Sequence, residues 1–212
     1  MREDTIRLIR ERKVIAIVRG LAFEHMEPFA NALKNGGIQL VEVTFVQDDP
    51  ASWAATCESI RLLNRLGICA GAGTVVTQEQ LKLAAEAGAN YIISPNTNEA
   101  IIRKTREMNL VSIPGAMTPS EIVSAYEYGA DFVKVFPASV LGSAYIKAVR
   151  APLKHIPMLA VGGISADNMR DYIKAGCLGV GVGGKLVSRE WIEAGEFDKI
   201  EQAARAYTEA AK

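Results

Sequence analysis

The chain has 212 residues, of which 24 are Lys or Arg and 24 are Asp or Glu, so its formal charge is zero. With 49% hydrophobic and 23% charged residues it can bury a sizeable core, which points to a single domain over residues 1–212. Neutrality without a basic stripe argues against a nucleic-acid partner, and no apolar run approaches the ~18 residues of a membrane span.

The opening segment MREDTIRLIRERK lacks the apolar stretch and small-residue cleavage site of a signal peptide. Residues 3–12 instead predict an amphipathic helix. Eight short apolar, β-branched runs follow, at 14–18, 40–45, 68–72, 91–94, 111–113, 132–136, 158–161 and 179–182. They are too apolar for half-exposed hairpins, so parallel strands covered by helices fit better. Between them lie helix signals: Thr77 with Gln80 and Thr118 with Glu121 form capping boxes, and Ser165 marks a weaker start. Gly36, Gly67, Gly88, Gly129 and Gly176 stand where helices stop before a strand. A last helix is expected over 198–211. Strict alternation of this kind predicts an α/β fold, a (β/α)8 TIM barrel with an extra N-terminal helix plugging its bottom. The chain is shorter than the ~250 residues typical of that fold, leaving no room for a large lid.

Cys57, Cys69 and Cys177 are odd in number, scattered, and without a CxxC pair, the usage of a cytoplasmic protein with reduced thiols. His25 and His155 are isolated, so no metal site is expected.

Chemistry concentrates at the strand ends, where barrel loops begin. Lys134 interrupts the apolar strand FVKVF, with Phe132, Lys134 and Phe136 on one face and the two valines on the other. Desolvation disfavours an ammonium, and a neutral amine is a nucleophile suited to Schiff-base chemistry. Glu42 in LVEVTF is a second charge inside a strand, of opposite sign, suited to proton transfer. The other reading of the two is a structural ion pair, a weak stabiliser once desolvation is included. Gly162 and Gly163 after strand seven, with Val161 before them, and Gly183 and Gly184 after strand eight leave backbone N–H groups open to an anion, with a helix starting near Ser165. Lys185 adds a charge there. Arg19 ends strand one, and its guanidinium can grip a carboxylate or phosphate. Thr74, Pro95 with Asn96, and Pro114 with Gly115 end strands three, four and five.

In order and at family spacing, IVRG (17–20), VEVTF (41–45), GAGTV (71–75), ISPN (93–96), PGAMTPSE (114–121), FVKVFPAS (132–139) and VGGI (161–164) make the chain resemble the class I 2-keto-3-deoxy-6-phosphogluconate (KDPG) aldolases and the related 6-phosphogalactonate (KDPGal) aldolases. The resemblance implies a homotrimeric TIM barrel with no metal or organic cofactor, acting on a phosphorylated keto-acid. Lys134 would be its Schiff-base lysine and Glu42 its general acid/base. Arg19 and Thr74 would hold the pyruvate end, Pro95 and Phe136 would pack around the pyruvyl carbons, and Gly162, Gly163 and Gly184 would lie at the phosphate. The implied reaction is reversible cleavage of KDPG to pyruvate and glyceraldehyde 3-phosphate, with KDPGal or 4-hydroxy-2-oxoglutarate as the alternative substrate.

Three positions depart from the commonest family pattern: Val46 in place of an arginine, Val161 in place of a threonine, and Gly184 in place of a serine. Val161 and YIKAV (145–149) look more like the galactonate branch. Two other readings of the residues alone are a phosphosugar isomerase barrel that works without an imine and a non-catalytic phospho-ligand binder.

Overall fold

In the computed structural model, which describes residues 2–212, the chain opens on α1 (Arg2–Arg12). Glu3 and Asp4 in its first turn and Arg10 and Arg12 in its last complement the helix dipole. The body then alternates: β1 (Val14–Val18), α2 (Met26–Asn35), β2 (Leu40–Thr44), α3 (Trp53–Arg65), β3 (Cys69–Gly73), α4 (Gln78–Glu86), β4 (Tyr91–Ile93), α5 (Glu99–Glu107), β5 (Val111–Ile113), β6 (Gly115–Ala116), α6 (Pro119–Glu127), β7 (Val133–Val135), α7 (Ala138–Arg150), β8 (Met158–Val161), α8 (Met169–Lys174), β9 (Gly179–Val182), α9 (Arg189–Glu193) and α10 (Phe197–Ala210).

Every strand pairing is parallel, and the sheet runs β5-β4-β3-β2-β1-β9-β8-β7-β6. Its two outer segments, β5 and β6, are separated only by Pro114, so they are halves of one stave and the sheet closes on itself. Proline has no N–H to donate to the ladder, which breaks the stave there. The expected eight strands are therefore present as nine segments. Lys134 N donates to Pro114 O at 2.8 Å, carrying β7 across the break.

Side-chain alternation splits the interior in two. Val41, Val43, Val133 and Val135 point outward into the layer between sheet and helices. Ile15, Leu40, Tyr91, Ile93, Val111, Ile113, Phe132 and Leu159 point inward and fill the barrel's lower half, with Ile9 of α1 inserted from below. Burying a side chain of this size contributes roughly 1.5–3 kcal/mol, which is what makes α1 a plug rather than an appendage. Arg2 pairs with Asp131 just before β7, and Arg106 at the end of α5 reaches the same carboxylate at 2.6 Å, tying the plug to the barrel floor.

Both predicted capping boxes form. Other local expectations shift. Strands β2, β4 and β7 are shorter by a residue at one end or both, and β3 runs one residue later. Gly36 is not the left-handed helix stop; Gly37 is, at φ 91°. Gly36 is glycine because α10 lies on it, and a Cβ there would fall 2.3 Å from the Ala204 side chain. Nor does α8 itself start at Ser165. Ser165 N donates to Asn168 Oδ1 at 2.9 Å, Asn168 N to Ser165 Oγ at 3.3 Å and Met169 N to Ser165 O at 3.0 Å, so a single capped turn leads into α8, which begins at Met169.

Candidate active site

At the C-terminal ends of the strands a cavity of about 840 Å³ opens above the packed floor. Most of the candidate residues line it: Arg19, Glu42, Thr74, Pro95, Lys134, Phe136, Val161, Gly162, Gly163, Gly183 and Gly184, together with Lys185. Asn96, Pro114 and Gly115 do not. Sequence reasoning missed Ile17, Ile164, Gly181 and Val187, which also line it. Two of these carry a usable signal. Ile17 and Gly181 each precede a chosen residue by two, and residues two apart on a strand share a face.

Glu42 and Lys134 rise from β2 and β7, which lie four staves apart in a ring of eight and so face one another across the barrel. Glu42 is 2% exposed and Lys134 7%. Among the described residues they form no direct ion pair, yet the Lys134 charge acts on the Glu42 carboxylate. Burial pushes the Glu42 carboxyl above its usual value of 4.5, and the opposing pull of Lys134 and then Arg19 only partly offsets this. The Lys134 Nζ lies 4.9 Å from the centroid of the Phe136 ring, whose face attracts a cation.

The GAG of residues 71–73 explains how a carboxylate fits in so small a barrel. A Cβ at Gly73 would stand 1.8 Å from Glu42 Oε1, and one at Gly71 would stand 2.1 Å from the Tyr91 ring. The two absent side chains on β3 are the space that Glu42 and Tyr91 occupy. Thr74, which follows, adopts φ 55°, a left-handed conformation that is strained for a β-branched residue.

Opposite, Gly162 and Gly163 both take positive φ, at 97° and 71°, which turns the loop after β8 along the cavity wall. Ser139 N at the start of α7 donates to Gly162 O at 3.0 Å and fixes that loop. A Cβ at Gly183 or Gly184 would meet nothing within 4 Å, so this side is open. The site thus presents an amine and a carboxyl at its buried base, and Arg19, Lys185 and bare backbone nearer its mouth.

Known proteins share this sequence pattern and this fold. The family model for KDPG and KHG aldolases matches residues 5–203. A probable 2-dehydro-3-deoxy-6-phosphogalactonate aldolase of Rhizobium meliloti is 38% identical over 83% of this chain and 82% of its own. A 2-dehydro-3-deoxy-phosphogluconate aldolase of Haemophilus influenzae is 31% identical over 96% and 94%. Among solved structures, the KDPG aldolase of Legionella pneumophila, with pyruvate captured as a covalent carbinolamine, superposes with a TM-score of 0.85 at 26% identity, over 95% of this chain and 97% of that one.

Proposed function

The chain belongs to the KDPG and KHG aldolase family and is an aldolase, a lyase; from that premise we propose that it cleaves KDPG to pyruvate and glyceraldehyde 3-phosphate through a Schiff base on Lys134. The observation that carries the proposal is the pairing of Lys134 and Glu42 at the base of one cavity, from opposite staves.

Lys134 Nζ adds to the 2-keto carbon to give a carbinolamine, which loses water to form an iminium. Glu42, directly or through a water, takes the proton from the hydroxyl on the fourth carbon. The bond between the third and fourth carbons then breaks, and its electron pair moves into the iminium to form an enamine. The aldehyde leaves, the enamine is protonated at its terminal carbon, and hydrolysis returns pyruvate and free Lys134. The covalent route divides one difficult carbanion step into several easier ones. Thr74 and Arg19 receive the carboxylate and hydroxyls, Pro95 and Phe136 flank the pyruvyl carbons, and the glycine-lined wall with Lys185 takes the phosphate.

The direct test is borohydride reduction in the presence of pyruvate. Wild-type protein is expected to gain a pyruvyl adduct on Lys134 and Lys134→Met none. An adduct on the variant, or none on the wild type, overturns the assignment. A second reading, cleavage of KDPGal, is favoured by Val161 beside the glycine pair on the cavity wall. Rates on the two sugar acids side by side separate the readings, and equal rates overturn both in favour of a stereochemically relaxed aldolase. The same proposal includes a cytoplasmic homotrimer. The exposed apolar side chains of Met117, Tyr126 and Val140 support an interface, and a monomer in sedimentation removes that part.

A further inference from the structure

Gln47 lies beyond β2, outside every motif in the sequence, and its exposure alone would mark it as a solvated loop residue. Its hydrogen bonds say otherwise. Gln47 Nε2 donates to the Thr74 carbonyl at 2.8 Å, and Gln47 Oε1 accepts from Gln80 Nε2 at 3.0 Å. Gln80 is fully buried, at 0% exposure. Its Oε1 accepts from Val76 N at 2.9 Å and Thr77 N at 3.2 Å, as the reciprocal half of the capping box that starts α4.

The amide orientations follow from one another. Two backbone N–H groups face Gln80 Oε1, so its other atom must be the donor. That donor requires an oxygen from Gln47, which turns the Gln47 NH2 toward Thr74. A helix cap is thereby linked through two side-chain amides to a cavity residue. The loop bearing Gln47 is itself fixed, since Trp53 Nε1 donates to Val46 O at 2.8 Å and Phe45 N to Gly73 O at 2.9 Å. Beyond Thr74, Val75 N donates to Ile93 O at 3.1 Å and Val75 O accepts from Ser94 Oγ at 2.7 Å. Thr74 at φ 55° is therefore held on both sides, and a strained conformation persists only where its surroundings over-determine it. Among the described residues, the bond from Gln47 to its carbonyl is the one hydrogen bond that Thr74 itself makes.

We infer that Gln47, oriented by Gln80, is a positioning residue that sets the Thr74 hydroxyl for the pyruvyl end of the substrate. The inference rests on the proposed role of Thr74 and goes beyond it, because Gln47 touches no cavity surface of its own.

A double-mutant cycle separates positioning from plain structural support. The Gln47 bond is to the Thr74 backbone, so it survives Thr74→Ala, and any stability it contributes survives too. Its effect on substrate does not, because the hydroxyl it positions is gone. Gln47→Ala is expected to raise KM for pyruvate in the condensation direction by about 3- to 10-fold, the size of one lost hydrogen bond, with kcat changed less than twofold. In the Thr74→Ala background the same substitution is expected to leave KM unchanged while lowering Tm by the same amount as in wild type. An equal KM effect in both backgrounds overturns the inference, as does a Gln47→Ala enzyme with wild-type KM. If Thr74→Ala itself has wild-type KM, the role of Thr74 falls and the inference falls with it. A raised KM in Thr74→Ala alone removes Gln47 and leaves Thr74 standing.

Discussion

Glu42 joins catalysis and stability at a single carboxyl. Its proton is held more tightly in the fold than in the unfolded chain, so the native state loses stability as pH rises from about 4.5 through the raised folded value. Substituting Glu42→Gln removes that cost, and the linkage already includes the attraction to Lys134. We expect Tm to rise at pH 8. The gain should fade toward pH 4.5, and melting curves across pH check it. Cleavage should fall by about 10²–10⁴-fold, the usual worth of a general acid/base, while borohydride still traps pyruvate on Lys134. Gly73→Ala tests the same group sterically. Its Cβ would displace the Glu42 carboxylate, and a shift near 1 Å costs about 10²-fold in rate. Gly184→Ser should do the reverse, since nothing stands within 4 Å of a Cβ there. An added hydroxyl is expected to lower KM for the phosphorylated aldehyde in condensation assays and to leave KM for pyruvate unchanged.

Legibility at this scale divides by how a residue breaks a rule. Lys134 and Glu42 stand out in the sequence because a charge in the middle of an apolar strand is anomalous in itself. The glycines after β8 and β9 stand out by their position in the barrel. Gln47 breaks no rule, because a polar residue after a strand is what any loop contains. The reason for Gly71 and Gly73 is hidden too, since their empty space belongs to side chains on neighbouring staves.

Among elements, β–α alternation and capping boxes read directly from sequence, because each is a local pattern with a local cause. The features that sequence does not disclose are set by tertiary contacts or by side-chain bonds. Gly36 answers to α10, more than 160 residues on, and the approach to α8 answers to a turn closed by the side chains of Ser165 and Asn168. The split stave at Pro114 is written in the sequence, but its meaning depends on pairing with two different neighbours. The plug helix α1 belongs to stability rather than to chemistry. Ile9→Ala should cost about 2–5 kcal/mol, visible as a lower denaturation midpoint with KM for pyruvate unchanged. A changed KM would mean that the floor below the site is not rigid.

For the whole molecule, neutrality conceals a local imbalance. Arg19, Lys134 and Lys185 line the cavity against Glu42 alone, while the total charge is zero. An anionic substrate therefore meets a positive mouth on a neutral body, and salt acts at the mouth. The screening length falls from about 10 Å at 0.1 M to about 3 Å at 1 M, so KM for the phosphorylated substrate should rise several-fold across that range.

The packed lower half of the barrel bears on isotope exchange. With Ile9, Ile15, Leu40, Phe132 and Leu159 sealing the base, solvent reaches the enamine from the mouth side alone. In heavy water, each cleavage should place one deuterium on the methyl carbon of pyruvate. Pyruvate bound without aldehyde should exchange further methyl hydrogens as the enamine forms and collapses repeatedly. An unreactive phosphorylated aldehyde analogue, lodged at the mouth, should slow that exchange by standing in the path of water, without touching the carbon that exchanges.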